Sequence, residues 1–373
     1  MEIRKIISKE SSLWLPWRTD GTNMQPNILI LCKLAFLLLV INQFYFYLED
    51  PFLPFLNILD AFNEIPDVIK IIQRVLFVLA GILLWLNYRV RLMALILGLV
   101  VLFALLASKP LFRNHIFILA CIFILAALSA KNNKPWLLFW QFSLVYFGAF
   151  LNKILQIDWW NGQFMHNWLL NARENIVYIS LLPWFPEMLL AKIISWMSMA
   201  IELVIALLLL NRRKHFMAFW LILLFHGILY TMVLFRFGHF MEDILLLLLI
   251  FINWPKGSIK VKHKTNKSLG IIGLLKSLNL NKQVVYKSLE MKDDIWLEAT
   301  IKNRTVTNWT AFRYLLLYSP GFYFMLFGLD IVVRLLTNNT IMHITTVVIM
   351  WIFLLLFSPF LIKKRWHLNE KTL

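Results

Sequence analysis

The chain has 373 residues, of which 60% are hydrophobic, and a formal net charge of +17. A soluble domain is nearer half apolar, and many runs here reach the roughly 18–20 residues that a helix needs to cross a bilayer. The composition excludes an ordinary soluble domain and predicts a polytopic helical membrane protein. The basic residues collect in short loops and the tail, which favours topology control and anionic lipid over nucleic acid.

The N-terminal segment, residues 1–26, is polar and of mixed charge, so we expect a cytoplasmic segment without a cleavable signal peptide. A membrane domain is predicted over residues 27–255. Its eight helices are predicted near 27–48, 69–87, 90–107, 114–130, 136–153, 187–210, 215–236 and 241–254. Cys32 and Cys121 lie within these apolar runs and form no C-x-x-C pair, so no zinc or dithiol site is predicted.

Loop charges predict the orientation of these helices. The 49–68 loop has five acidic residues and no Lys or Arg, whereas basic clusters follow the second, fourth, sixth and eighth helices. This alternation is what the positive-inside rule requires. We expect a multi-pass protein of the cell membrane with a cytoplasmic N-terminus. The longest extracytoplasmic loop is then 154–186, whose tryptophans fit an interfacial belt.

The rest of the chain differs in composition. Residues 256–310 are polar with short β-like runs and predict a small cytoplasmic α/β segment. Residues 311–373 hold two further candidate helices, 312–336 and 343–362, and a basic tail, and Pro320-Gly321 breaks the first of them. The predicted fold class is all-α and polytopic, with about eight core transmembrane helices, the small α/β segment and one or two C-terminal helices.

Several polar side chains are predicted to reach one membrane level. Asn114 and His115 open the fourth helix at its outer end, and Lys153 closes the fifth. The outer turn between the seventh and eighth helices contributes a further set, Arg236, His239, Glu242 and Asp243. Ionisable groups at such depths are costly and often functional.

Each of these groups has a structural alternative. Lys153 is either a snorkelling interfacial lysine or a partly desolvated amine that acts as a general base. His115 is either a functional group or a helix-start histidine bonded to a neighbour. Glu202 and His226 lie deeper, and a contact between them would satisfy both, with or without chemistry.

The outer turn also has two interpretations. His239, Glu242 and Asp243 form either a solvated turn or a set of metal ligands. Their spacing fits no defined motif, so no metal is predicted.

Three patches resemble the HTTM domain, the membrane domain of vitamin K-dependent gamma-carboxylases and of many bacterial proteins. The resemblance covers roughly residues 20–255. The patches are Asn114-His115; Gln141, Tyr146-Phe147, Lys153, Asp158-Trp159 and Gly162; and Ile201-Glu202, Arg212-Arg213, Phe225-His226 and Phe237-Gly-His-Phe240.

This resemblance implies a role for several residues. The lysine matching Lys153 would deprotonate reduced vitamin K, and the histidine matching His115 would orient that base or stabilise negative charge. The implied cofactor is a reduced quinone that enters from the lipid. The remaining residues predicted to bind are Asn114, Asp158, Trp159, Glu202, His226, His239 and Glu242.

The chain also departs from the carboxylases. The spacer between Lys153 and Asp158 is one residue longer, and the large extracytoplasmic β-rich region is missing, which argues against gamma-glutamyl carboxylation. In size the chain resembles bacterial members of the sporulation-delaying protein B type. Two functions follow: an enzyme acting on a quinol or a secreted peptide at an outward-facing site, or a non-catalytic factor for maturation or export of such a peptide. Expected partners are membrane lipids and a secreted peptide, and not nucleic acid.

Part of the 270–325 stretch resembles the thioredoxin-like DCC family, which often follows HTTM domains. The residues are Leu274-Leu275-Lys276-Ser277-Leu278, Val284-Val285-Tyr286 and Thr310 to Leu316 with Pro320. The paired cysteines of that family are absent here, which rules out dithiol chemistry.

Overall fold

A computed structural model describes most of the chain. The described residues are 15–49, 51–131, 133–235, 240–255, 257–264, 269–279, 281, 283–288, 294–301, 304–337 and 340–362. The fold is mostly helical, at 72%.

Twelve of the described helices are given labels in chain order. They are α1 (Pro26–Ile41), α2 (Pro66–Trp85), α3 (Val90–Ala107), α4 (Asn114–Leu128), α5 (Trp136–Ile154), α6 (Leu189–Leu210), α7 (His215–Met232), α8 (Phe240–Leu247), α9 (Leu269–Leu278), α10 (Asn308–Leu317), α11 (Pro320–Thr337) and α12 (Thr340–Ile362). Short helical turns lie at Phe44–Tyr47, Asn57–Glu64, Lys109–Leu111, Ile157–Trp160, Gln163–Asn167, Trp168–Ala172, Ile176–Leu181, Leu182–Trp184 and Leu248–Phe251.

Among the residues that the structure describes, five helices are long and apolar enough to cross a membrane, namely α2, α3, α5, α6 and α7. These helices fit a multi-pass membrane protein, whereas the predicted count of about eight core spans is not confirmed. α1 and α4 are apolar but have only 16 and 15 residues, fewer than the roughly 17–25 that a span needs. α1 begins directly at Pro26, a residue favoured at the first helical position because it has no N–H.

Two predicted helices are interrupted. The predicted 241–254 helix is α only as far as Leu247 and continues as a 3₁₀ turn to Phe251. The predicted 312–336 helix is broken, as expected at Pro320, into α10 and α11, which meet at a 69° bend. Proline lacks an N–H and its ring clashes with the preceding turn, so the helix cannot continue through it.

The small α/β segment is confirmed as a four-stranded sheet. Its strands are β1 (Ile259–His263), β2 (Val284–Ser288), β3 (Leu297–Ile301) and β4 (Arg304–Thr307), in the order β2-β1-β3-β4. β1 and β2 pair in parallel because α9 crosses between them. β3 pairs antiparallel with β1, and β4 antiparallel with β3. The DCC resemblance of this segment stays a prediction.

The chain divides into two compact units. Unit 1 comprises Met1–Pro135 and Ile252–Leu373, and unit 2 comprises Trp136–Phe251. The predicted domain limits, 1–26, 27–255, 256–310 and 311–373, stay predictions, as do the cytoplasmic N-terminus and the type of membrane.

A buried lysine organises unit 1. Lys33 of α1 is fully buried, and its Nζ donates to the carbonyl of Pro16 and to Asn87 Oδ1, both at 2.6 Å. Asn87 in turn donates to the carbonyls of Leu15 and Arg18. An ammonium can be buried when its donors are met by oxygens. These bonds hold the segment before α1 against α1 itself and against the turn between α2 and α3.

We expect Asn87→Ala to destabilise unit 1 by about 3 kcal/mol, because the buried Lys33 ammonium loses an acceptor and two carbonyls lose their donor. Residue 87 also has a φ of 61°, which asparagine tolerates better than alanine. Tryptic cleavage after Arg18 should therefore become faster. Asn171→Ala, at an exposed position, is the control and should leave cleavage unchanged; equal rates for both variants would contradict this role of Asn87.

Candidate functional site

Lys153 and Glu202 form an ion pair in unit 2. Lys153 lies in the last turn of α5 and its Nζ donates to Glu202 Oε1 of α6. Both side chains are largely buried, at 16% and 8% exposure. The C-terminal end of α5 also favours a cation, because its last carbonyls carry partial negative charge.

The chain after α5 decides which part of α6 meets Lys153. Residues 157–165 pack beside the first turns of α6: Ser195 Oγ donates to the Trp159 carbonyl at 2.5 Å, and Trp196 Nε1 donates to the Trp160 carbonyl at 3.1 Å. Because α6 extends past the end of α5 in this way, Glu202, in the second half of α6, lies level with the last turn of α5.

Gly162 permits this close approach. Its φ is +80°, and a Cβ at this position would lie 2.7 Å from the Lys192 backbone nitrogen on α6. A side chain would therefore meet both a strained backbone conformation and backbone atoms that cannot move aside.

Gly162→Ala is expected to destabilise unit 2 by about 2–4 kcal/mol, from the left-handed conformation and the overpacking together. Gly148→Ala is the matched control, since Gly148 lies on α5 with nothing within 4 Å of its built Cβ. That substitution should be neutral or stabilise the helix by up to about 1 kcal/mol. Thermal unfolding of the two purified variants measures the difference, and equal melting temperatures would contradict it.

Trp159 forms one wall beside the lysine. The Lys153 Nζ lies 4.9 Å from the centroid of the Trp159 ring, within cation–π distance. The other face of the indole is occupied, because Trp159 stacks on Phe164 with centroids 4.4 Å apart and planes inclined by 22°. Trp159, which the sequence predicted as a binding residue, is buried and lies against Lys153.

A second pair of polar groups lies nearby. The Tyr146 hydroxyl, on α5, is 3.4 Å from Nδ1 of His226, on α7, and both side chains are buried. The same nitrogen is 2.9 Å from the Ile222 carbonyl. A carbonyl only accepts, so Nδ1 carries the proton and donates to Ile222. The Tyr146 oxygen is an acceptor for the same Nδ1–H, so the Tyr146 hydroxyl proton is not used in this contact.

These two pairs belong to one electrostatic cluster. Lys153 is close enough to His226, and Glu202 to Tyr146, for their charges to act on each other through space. Tyr146 and Lys153 are seven residues apart, which places them on the same face of α5. The direct contact between Glu202 and His226 that the sequence suggested is replaced: Glu202 pairs with Lys153, and His226 with Ile222 and Tyr146.

The other predicted site residues lie elsewhere. Asp158 is exposed, on the short helix Ile157–Trp160. Asn114 is exposed and His115 half-buried at the start of α4, in unit 1, whereas Lys153 belongs to unit 2. Glu242 opens α8 and is buried, and so is Asp243, so a solvated turn is the wrong interpretation for these two residues. His239 and Arg236 fall outside the described residues.

Residues 136–251 thus combine three long apolar helices with one buried cluster of Lys, Glu, Tyr and His side chains. A scan against family models decides what kind of domain this is. Residues 132–254 match the HTTM domain. The match extends a few residues beyond unit 2 at each end.

No curated protein and no solved structure matches the chain. The HTTM match and the five apolar helices together fit a multi-pass membrane protein. Within the HTTM domain, the structure brings together Lys153, Trp159, Glu202 and His226.

The sequence did not single out Tyr146 as a candidate for the site of the HTTM domain. Tyr146 was named only as part of the second patch that resembles the HTTM domain. Its spacing from Lys153 on an apolar helix was a usable signal, since two polar groups on one face of a membrane helix need a common polar environment. Ser143 extends the same face and donates to the Ala206 carbonyl at 2.8 Å.

Proposed function

We propose that the HTTM domain is a membrane enzyme in which Lys153 acts as a general base toward a lipid-soluble substrate. The observation that carries the proposal is the largely buried Lys153–Glu202 pair, placed at the end of α5 and backed by the Trp159 ring. The resemblance to the membrane domain of vitamin K-dependent carboxylases supplies the substrate class, a reduced quinone. For His115, which lies in unit 1, a supporting role rests on the resemblance alone.

The residues present fit such a ligand. Glu202 Oε2 is buried and has no hydrogen-bond partner among the described residues. A buried carboxylate oxygen without a donor is costly in an apolar environment. A ligand hydroxyl would supply that donor, and the hydroxyl proton of Tyr146 would find an acceptor on a ligand oxygen.

A bound reduced quinone would supply an acidic hydroxyl and a ring that the lipid phase can deliver. The protein has to take up that proton. In the free protein the pair is an ion pair and Lys153 holds the shared proton. When a bound substrate excludes water, that proton passes to Glu202, since an ion pair without hydration gains little over the neutral pair. Lys153 would then accept the proton of the substrate hydroxyl at Nζ. The ammonium so formed would be stabilised by the negative charge of the deprotonated substrate and by the Trp159 ring.

A second candidate function uses the same contacts differently. Ser143, Ser195 and the Lys153–Glu202 pair tie α5 and its following segment to α6 through polar bonds. Interhelical bonds of this kind stabilise helix packing in membranes. In this case the domain would be a non-catalytic factor for maturation or export of a secreted peptide, as in the sporulation-delaying protein B type.

Mass spectrometry of quinones separates the two functions. The protein purified from its native membrane is given reduced menaquinone or reduced vitamin K under air, with Lys153→Ala beside the wild type. Quinone epoxide formed only by the wild type is expected. Absence of turnover together with absence of co-purified quinone would contradict the enzyme and favour the peptide-maturation role.

A further inference from the structure

The segment between α5 and α6 has apolar ends and a polar middle. Near α5, Leu155 and Ile157 are 82% and 76% exposed, and toward α6, Ile176, Val177 and Trp184 are 73%, 67% and 82% exposed. The exposed residues between these ends are mostly polar. They include Gln163, Asn167, Asn171 and Glu174.

The apolar end near α6 is unusual for a surface in water. Residues 175–186 contain no charged side chain. The short helix Ile176–Leu181 buries Tyr178 and exposes Ile176, Val177, Ile179 and Leu181. Large contiguous apolar patches are rare on water-facing protein surfaces and mark interaction sites.

Buried contacts fix this helix in place. The side chain of Asn175 caps it by accepting from the Tyr178 backbone N–H at 2.8 Å, and its Nδ2 donates to the Met232 carbonyl at the end of α7. The Tyr178 hydroxyl lies 2.8 Å from His166 Nδ1. The side of the helix that faces the domain is therefore held by hydrogen bonds of Asn175 and Tyr178. The apolar residues of the helix lie on the opposite, outward side.

Two tryptophans turn their polar atoms inward, Trp160 in the end near α5 and Trp196 of α6, which packs against it. Trp160 Nε1 donates to the Ile154 carbonyl at 2.8 Å, and Trp196 Nε1 donates to the Trp160 carbonyl at 3.1 Å, while both rings stay about half exposed. The outward parts of these indoles are carbon. A polypeptide partner would offer acceptors for indole N–H groups, whereas acyl chains need only carbon surface.

We propose that residues 155–160 and 176–185 lie in the membrane interface, against lipid, and that the exposed polar side chains of residues 163–174 face water. Both ends are attached to helices that are long and apolar enough to span, so the chain returns to the bilayer surface at each of them. The bilayer is present wherever the domain is folded, and any other partner would have to displace it. This surface is independent of Lys153 chemistry and so goes beyond the proposed function.

Site-directed spin labelling tests the proposal in liposomes that contain the full chain. Cys32 and Cys121 are replaced by alanine, and a nitroxide is attached to Val177→Cys or to Trp184→Cys. Asn167→Cys and Asn171→Cys are the matched controls on the same segment. Collision with oxygen, which concentrates in lipid, is compared with collision with a water-soluble nickel chelate.

The labels at 177 and 184 should show an oxygen-to-nickel ratio several-fold above that of the labels at 167 and 171. Nickel accessibility at 177 and 184 equal to that of the controls would overturn the proposal, because the patch would then face water. Shielding from both reagents would also overturn it and would indicate a protein partner or a second copy. Should Trp184→Cys fail to fold, Ile176→Cys tests the same face.

Discussion

Lys153→Arg is expected to lower quinol turnover by about 10²–10⁴-fold, the usual contribution of a general base. Arginine keeps the positive charge and can still pair with Glu202, but it remains protonated at any pH at which the protein is folded. The variant therefore separates basicity from charge. The measurement is quinone epoxide formed per protein molecule, compared with wild type at saturating reduced quinone.

Lys192→Arg is the control for this experiment. Lys192 lies on α6 beside Gly162 and is half-buried, but it is not paired with Glu202. Its substitution should leave turnover within the error of the assay. Wild-type turnover by Lys153→Arg would show that Lys153 only snorkels and would remove the base from the proposed mechanism.

Glu202→Met is expected to lower the free energy of unfolding by about 3 kcal/mol, because the Lys153 ammonium is left buried without its counter-ion. The double variant Lys153→Met with Glu202→Met should recover most of this loss, since no unpaired charge remains and methionine has a similar volume. Unfolding in detergent, followed by the thermal melting temperature, measures both variants.

Glu187→Met provides the matched control for the stability series, because Glu187 is an exposed carboxylate in the same domain. It should change stability by less than about 0.5 kcal/mol, as is usual for surface positions. If Glu202→Met melted like Glu187→Met, or if the double variant were no better than the single one, the pair would not be a buried ion pair in the folded protein.

The sequence predicted the class of the protein well because hydrophobic run length is a local property. The runs that became α2, α3, α5, α6 and α7 were all predicted as membrane helices. The break at Pro320 and the strand near 284–286 followed equally from local chemistry. The number of spans was less predictable, since α1, α4 and α8 end earlier than their apolar runs. Hydropathy does not record where the backbone leaves the helix.

Individual site residues were predictable, but their partners were not. Lys153 is conspicuous because an ionisable group closes an apolar helix. Glu202 was expected near His226 on the basis of depth along each helix. That expectation was wrong because Lys153, at the end of α5, is the group that reaches Glu202.

The amino-acid sequence by itself determined that the chain is a helical membrane protein, that it resembles HTTM domains, and that Lys153 lies at the end of a span. Only the tertiary structure decided that Lys153 pairs with Glu202 and that Tyr146 and His226 adjoin this pair. The physical reason is the segment 157–169, a series of short helices that turns at Gly162 and packs beside the start of α6. Its path depends on contacts between residues far apart in sequence, and those contacts set the relative height of α5 and α6.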